Sequence, residues 1–109
     1  MLDMSMFREH ADVLRADHDK REMPHDNIDE VIRLDEEWRQ ARYDVDQLRK
    51  KRNEAARGIA EAKKSGDSAA ADAILAEVAS LGQEIDALSE KVDSCLAERD
   101  AIRMRVPNI

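Results

Sequence analysis

The chain is predicted to be all-α: a long antiparallel two-helix coiled coil, or helical hairpin arm, with a short N-terminal helical segment. Three observations predict it. Charged residues make up 39% of the 109 positions and aromatics 3%, with only 3 Gly and 2 Pro. That leaves too little bulky apolar material for a thick core, in a helix-favouring background of Ala, Leu, Glu, Lys and Arg. Two stretches repeat apolar residues at alternating intervals of three and four, the mark of a seam rather than a broad buried face. Between them stands one short turn, Ser65-Gly66-Asp67, and a short connection makes its flanking helices antiparallel neighbours.

Residues 1–25 form the N-terminal segment. Met6, Phe7, His10, Val13 and Leu14 follow helical spacing, with Ser5 as N-cap. The pattern fades in the polar run from Asp17 to Glu22, and Met23-Pro24 breaks it. No Cys or His-x-x-x-His pair brings two of His10, His18 and His25 together, so solvated histidines are expected rather than a metal site.

The first arm helix is predicted over 27–64, with Asn27 and Glu30 as an Asn-led analogue of the capping box. Its seam has two series: Val31, Trp38, Val45, Arg52, Ile59, and Leu34, Ala41, Leu48, Ala55, Ala62. The tip turn is 65–67, where Gly66 suits the left-handed conformation that closes a helix and Asp67 or Ser68 can cap the next. The second arm helix is predicted over 68–105. Its seam runs through Ile74, Val78, Leu81, Ile85, Leu88, Val92, Cys95, Arg99, Ile102 and Val106, and Pro107 stops it. Residues 106–109 begin a linker. Folding the seams about the turn pairs positions whose numbers sum to 133, so Ile59 meets Ile74, Leu48 meets Ile85, Trp38 meets Cys95 and Val31 meets Ile102. Arg52 then falls near Leu81 and Gly82, where the missing side chain leaves the guanidinium a path to solvent. Trp38 and Cys95 read as packing residues.

Charge is distributed unevenly. From Arg49 to Lys64 seven Lys/Arg stand against two acids, while the whole chain carries −7. The second arm helix is acidic. Two explanations are open on charge alone: cross-helix ion pairs in a solvated coiled coil, each of a few tenths of a kcal/mol, or polyanion binding. The overall acidity argues against nonspecific nucleic-acid binding by the whole surface. No stretch of about 18 apolar residues exists to span a membrane. Met1-Leu2-Asp3-Met4 lacks the basic and apolar regions of a secretory signal. The single cysteine cannot form an internal disulfide, which fits a cytoplasmic location. An enzyme is not indicated, because there is no Gly-rich phosphate loop and no core thick enough to exclude water from a site.

Several segments are individually recognisable. Met1-Leu2-Asp3, Arg8, Leu34-Asp35-Glu36-Glu37-Trp38-Arg39, Leu48-Arg49-Lys50-Lys51-Arg52-Asn53, Ile59-Ala60, Lys63-Lys64-Ser65-Gly66-Asp67 and Val106-Pro107-Asn108-Ile109 resemble the N-terminal domain of seryl-tRNA synthetases, in order and over essentially the whole chain. The resemblance implies one tRNA-binding arm domain, 1–109. It implies that this arm grips the long variable arm and elbow of serine tRNA, in a homodimer that delivers the acceptor end to the partner subunit. It places ATP, magnesium and serine in a class II catalytic domain that this chain does not include, so the chain alone is expected to be inactive and to bind no cofactor. Arg42, Arg49, Lys50, Arg57, Lys63 and Lys64 are the expected phosphate contacts, with Asn53 toward a ribose and Arg52 in a structural or RNA role. The alternative is a structural or protein-binding coiled coil with no nucleic-acid role.

Overall fold

The computed structural model describes residues 2–108; Met1 and Ile109, each part of a segment compared above, lie outside the described residues. The chain is all-α, with α1 (Met4–Glu9), α2 (Ala11–Lys20), α3 (Asp26–Lys64) and α4 (Ser68–Arg103). No strand occurs among the described residues. Two compact units are formed. The first takes the chain up to Arg39 and again from Val92, and the second is Gln40–Lys91.

In the first unit, Met4, Phe7, Leu14, Ile28, Val31 and Val106 form the buried core, with Leu2, Met6, Ile32 and Ile102 packed against it. The N-cap of α1 is Asp3 rather than Ser5: the Asp3 carboxylate accepts from the Ser5 backbone N–H at 3.0 Å. Asp and Ser are near-equal caps, and the register of the first turn decides between them. The predicted single helix is also two, because His10 leaves helical geometry at φ −130° and ψ 35°. Periodicity does not mark that break, since Met4, Phe7, Leu14 and His18 share a face in one continuous helix as well.

The end of α2 is closed by a Schellman arrangement. The Met23 N–H donates to the His18 carbonyl at 2.8 Å and the Glu22 N–H to that of Asp19 at 3.2 Å, with Glu22 in the left-handed region at φ 57°. His18 itself is buried, which corrects the solvated reading. Its Nδ1 donates to the Leu14 carbonyl at 3.0 Å, which satisfies one ring nitrogen, while Nε2 is buried without a hydrogen-bond partner among the described residues. The start of α3 is also corrected. The His25 carbonyl accepts from the Asp29 N–H, so the helix begins at Asp26 and Asn27 lies inside it rather than at its cap. Asp26 and Asp29 complement the dipole of that first turn.

In the second unit α3 turns back into α4 as expected. Gly66 has φ +76°, the Asp67 N–H reaches the Ala62 carbonyl at 3.0 Å and the Gly66 N–H that of Lys63 at 3.2 Å. Asp67 then caps α4 by accepting from the Ala70 N–H at 3.0 Å. Ala41, Val45, Ala62, Ala71, Leu81 and Ile85 are buried along the seam. A β-carbon on Gly58 would lie 3.2 Å from Ile74, one residue from the predicted Ile59–Ile74 pair. In the first unit Asp35 meets Arg99 and Glu37 approaches Cys95, again within one residue of the predicted register. The α4 helix stops at Arg103 instead of 105, as its last carbonyls bond in tighter three-residue turns before Pro107.

Candidate nucleic-acid interface

The candidate site lies on the part of α3 inside the second unit. With Ala41, Leu48, Ala55 and Ala62 as heptad position d, position e holds Arg42, Arg49, Ala56 and Lys63. Position f holds Tyr43, Lys50, Arg57 and Lys64, and the b column between them holds Asp46, Asn53 and Ala60. These three columns span about 100° of the helix circumference. Of the eight residues predicted from sequence, seven therefore share one face, which carries a single acid, Asp46. All seven are exposed. Arg52 does not join them. It occupies seam position a and is half-buried; a β-carbon at Gly82 would find nothing within 4 Å, so no side chain, that of Arg52 included, fills the space there.

From Arg49 onward, the ion pairs that would neutralise this face are not formed. Among the described residues, no carboxylate lies within 4.0 Å of Arg49, Lys50, Lys51, Arg52, Arg57, Lys63 or Lys64. Toward α4, the reason is the placement of that helix's acids. In an antiparallel pair the e column of one helix runs beside the e column of the other, and in this unit that column of α4 is Ser68, Leu75, Gly82 and Ser89. None carries charge. Lys63, Ser68 and Leu75 accordingly line one shallow pocket with Gly66, Ala71 and Asp72. Glu77 and Glu84 stand on the g column instead, along the other flank of the seam. The result is a solvated row of cations bordered on the α4 side by a neutral edge and on the other by Glu54 and Glu61 of α3 itself, exposed and, among the described residues, unpaired.

The first unit uses its charges differently. Asp35, 2% exposed, accepts from Arg8 Nε at 2.9 Å and Arg8 Nη2 at 2.8 Å, and from Arg99 Nη1 at 2.7 Å. Arg99, 6% exposed, lies 4.9 Å from the centre of the Trp38 ring and also donates to Asp100. Burial pushes the Asp35 carboxyl up, but the hydrogen bonds and charges of Arg8 and Arg99 outweigh it and hold it below its ordinary range. The Arg8 guanidinium is correspondingly raised, chiefly by the hydrogen bonds to Asp35. This cluster is a structural clasp, and sequence reasoning missed it: Asp35 stands at an e position beside the seam and carries no apolar signal. Arg99 in the apolar series was the one available clue, because a seam cation needs an anion. Trp38 is half-buried and Cys95 buried, with its Sγ 3.9 Å from Glu37 Oε2. Among the described residues no cluster of three His, Cys, Asp or Glu side chains could hold a metal, and no helix is long and apolar enough to cross a membrane.

Comparison with known proteins bears on this face. The family model described as the seryl-tRNA synthetase N-terminal domain matches residues 1–109. The chain is 36% identical over 111 residues to the serine–tRNA ligase of Thermococcus onnurineus and 37% identical over 114 residues to that of Methanoregula boonei. To that of Haloquadratum walsbyi it is 28% identical over 109 residues. Each match covers 100% of this chain but only 24%, 26% and 24% of the respective relative. The chain spans about a quarter of the length of the curated relatives it matches.

Proposed function

We propose, since this chain belongs to the family of seryl-tRNA synthetase N-terminal domains, that it is the tRNA-binding arm of a serine–tRNA ligase. In this reading it holds serine tRNA by the long variable arm and the elbow, so that the parent enzyme, a homodimer, can attach serine to the acceptor end. The observation that carries the reading is the cation face of α3, exposed and without internal ion pairs at Arg49, Lys50, Arg57, Lys63 and Lys64.

The physics suits the target. Double-stranded RNA presents phosphates and 2′-hydroxyls and hides base identity in a deep, narrow major groove. A helix bearing a row of Arg and Lys can therefore register where an extra stem lies without reading its sequence. Arg49 and Arg57 can each contact a phosphate with two parallel N–H groups, whereas Lys50, Lys63 and Lys64 act as mobile point charges. Asn53, in the middle of the face, can both donate to and accept from a ribose hydroxyl. ATP and magnesium belong to the catalytic part of the parent. The described residues of this chain bring no metal-ligating cluster together, and no chemical step is assigned to them.

The test is binding of serine tRNA, with and without its long variable arm, to the chain and to its Arg49→Ala/Lys50→Ala/Arg57→Ala variant across a salt series. The variant is expected to keep its helicity, since Ala is the best helix former. It should bind more weakly, with a salt slope lower by about 0.7–0.9 for each phosphate it no longer neutralises. Deleting the variable arm should weaken binding by the unsubstituted chain more than by the variant. Equal binding by both proteins at every salt concentration would favour the structural coiled coil instead.

A further inference from the structure

Three aromatic residues, Phe7, Trp38 and Tyr43, are present, and two of them have work inside the protein. Phe7 is in the core, and Trp38 lies beneath the Arg99 guanidinium. Tyr43 is 60% exposed and, among the described residues, makes no hydrogen bond or ring contact. It lies in the middle of α3, where Tyr is a poorer helix former than Ala, and most of its surface faces solvent. Its place is on the cation face. Tyr43 opens the f column that continues through Lys50, Arg57 and Lys64, with Arg42 next to it in the e column. Lys50 follows one heptad later, about 10.5 Å along the axis, and Arg49 sits about 9 Å along it.

An exposed aromatic ring on a helix face that also carries cations is an arrangement with which proteins hold an unpaired base. The ring offers a stacking surface indifferent to base identity, while Arg49 and Lys50, farther along the face beyond Asp46, take phosphates of the same strand. Resting on the function proposed above, we infer that Tyr43 is a stacking platform for one unpaired nucleotide of the bound RNA. It adds a contact to a single-stranded feature that the row of Arg and Lys, reading phosphates alone, does not make. The stem is then placed along α3 by charge and fixed in register by the stacked base.

The experiment uses the full 109-residue chain and two RNA probes, a stem with one unpaired purine and the same stem fully paired, measured by fluorescence anisotropy over a salt series. Tyr43→Ala is expected to weaken binding of the stem with the unpaired purine about fivefold or more, with an unchanged salt slope because the same phosphates stay neutralised. It should leave the paired stem within about twofold. Tyr43→Trp should retain the preference, since indole stacks at least as well. Circular dichroism should show helicity preserved in both variants. The inference is overturned if Tyr43→Ala binds both probes as the unsubstituted chain does while Arg49→Ala/Lys50→Ala/Arg57→Ala loses affinity and slope. If the triple variant also binds as the unsubstituted chain does, the cation face is not the RNA surface and both readings fall.

Discussion

Asp35 shows how a single carboxylate can govern a unit of structure. It is buried with three charge-assisted hydrogen bonds from Arg8 and Arg99, and removing one member of such a set strands a buried charge. Asp35→Asn is expected to cost roughly 3–5 kcal/mol at pH 7, read by urea unfolding followed through Trp38 fluorescence. The pH dependence has a definite sign. The folded-state pKa of Asp35 is lowered, so its contribution is fully present above the unfolded value of about 3.9 and is lost as pH falls below that value through the folded one. The stability gap between the unsubstituted chain and Asp35→Asn should therefore narrow at acid pH. A gap that stays constant down to pH 2 would assign the loss to shape rather than to charge. Cys95, buried against the same stretch of α3, should react slowly with a thiol reagent in the folded chain and at the rate of a free thiol in urea.

The two helix ends closed by left-handed residues make opposite predictions. At the tip Gly66 adopts φ +76° without a β-carbon, and at the end of α2 Glu22 adopts φ 57° with one. A side chain in this region costs about 1–2 kcal/mol. Gly66→Ala is thus expected to destabilise the protein by about 1 kcal/mol, and Glu22→Gly to stabilise it by a similar or smaller amount, since Gly also loses more entropy on folding. Thermal unfolding followed by circular dichroism separates the two, and equal shifts of the same sign would contradict the assignment. A proline at Leu48, in the interior of α3, should cost about 3 kcal/mol or more by removing a helical hydrogen bond and clashing with the preceding turn.

Over the full chain, the proposed binding of RNA is set against the protein's own charge. Seven bases between Arg49 and Lys64 stand in a chain of net −7, and the acids of α4 repel RNA wherever screening is weak. The Debye length falls from about 30 Å at 0.01 M salt to about 8 Å at 0.15 M. Glu77→Gln/Glu84→Gln should therefore raise RNA affinity at low salt and leave it nearly unchanged near physiological salt. Affinity unaltered by the substitutions at both ionic strengths would show that the neutral edge of α4 already isolates the cation face from those acids.

The seams, the tip at Gly66 and the cation-rich stretch were legible in the sequence because heptad spacing, a left-handed glycine and local charge are properties of neighbouring residues. For the same reason Arg42, Arg49, Lys50, Asn53, Arg57, Lys63 and Lys64 could be nominated from spacing and resemblance, and Arg52 recognised as the intruder in the seam. Which charges find partners was settled only by the packing of distant segments. The Arg8, Asp35 and Arg99 clasp joins three such segments, Asp35 lying 27 residues from Arg8 and 64 from Arg99. No local pattern reports a pairing over such separations. Nor could the unpaired state of the α3 cations from Arg49 to Lys64 be read from an abundance of acids on α4, because ion pairing depends on which column faces which. The break at His10 and the burial of His18 belong with these. Both lie in the segment whose Met4, Phe7 and Leu14 close one core with Ile28, Val31 and Val106, contacts between distant parts of the chain that local spacing does not report.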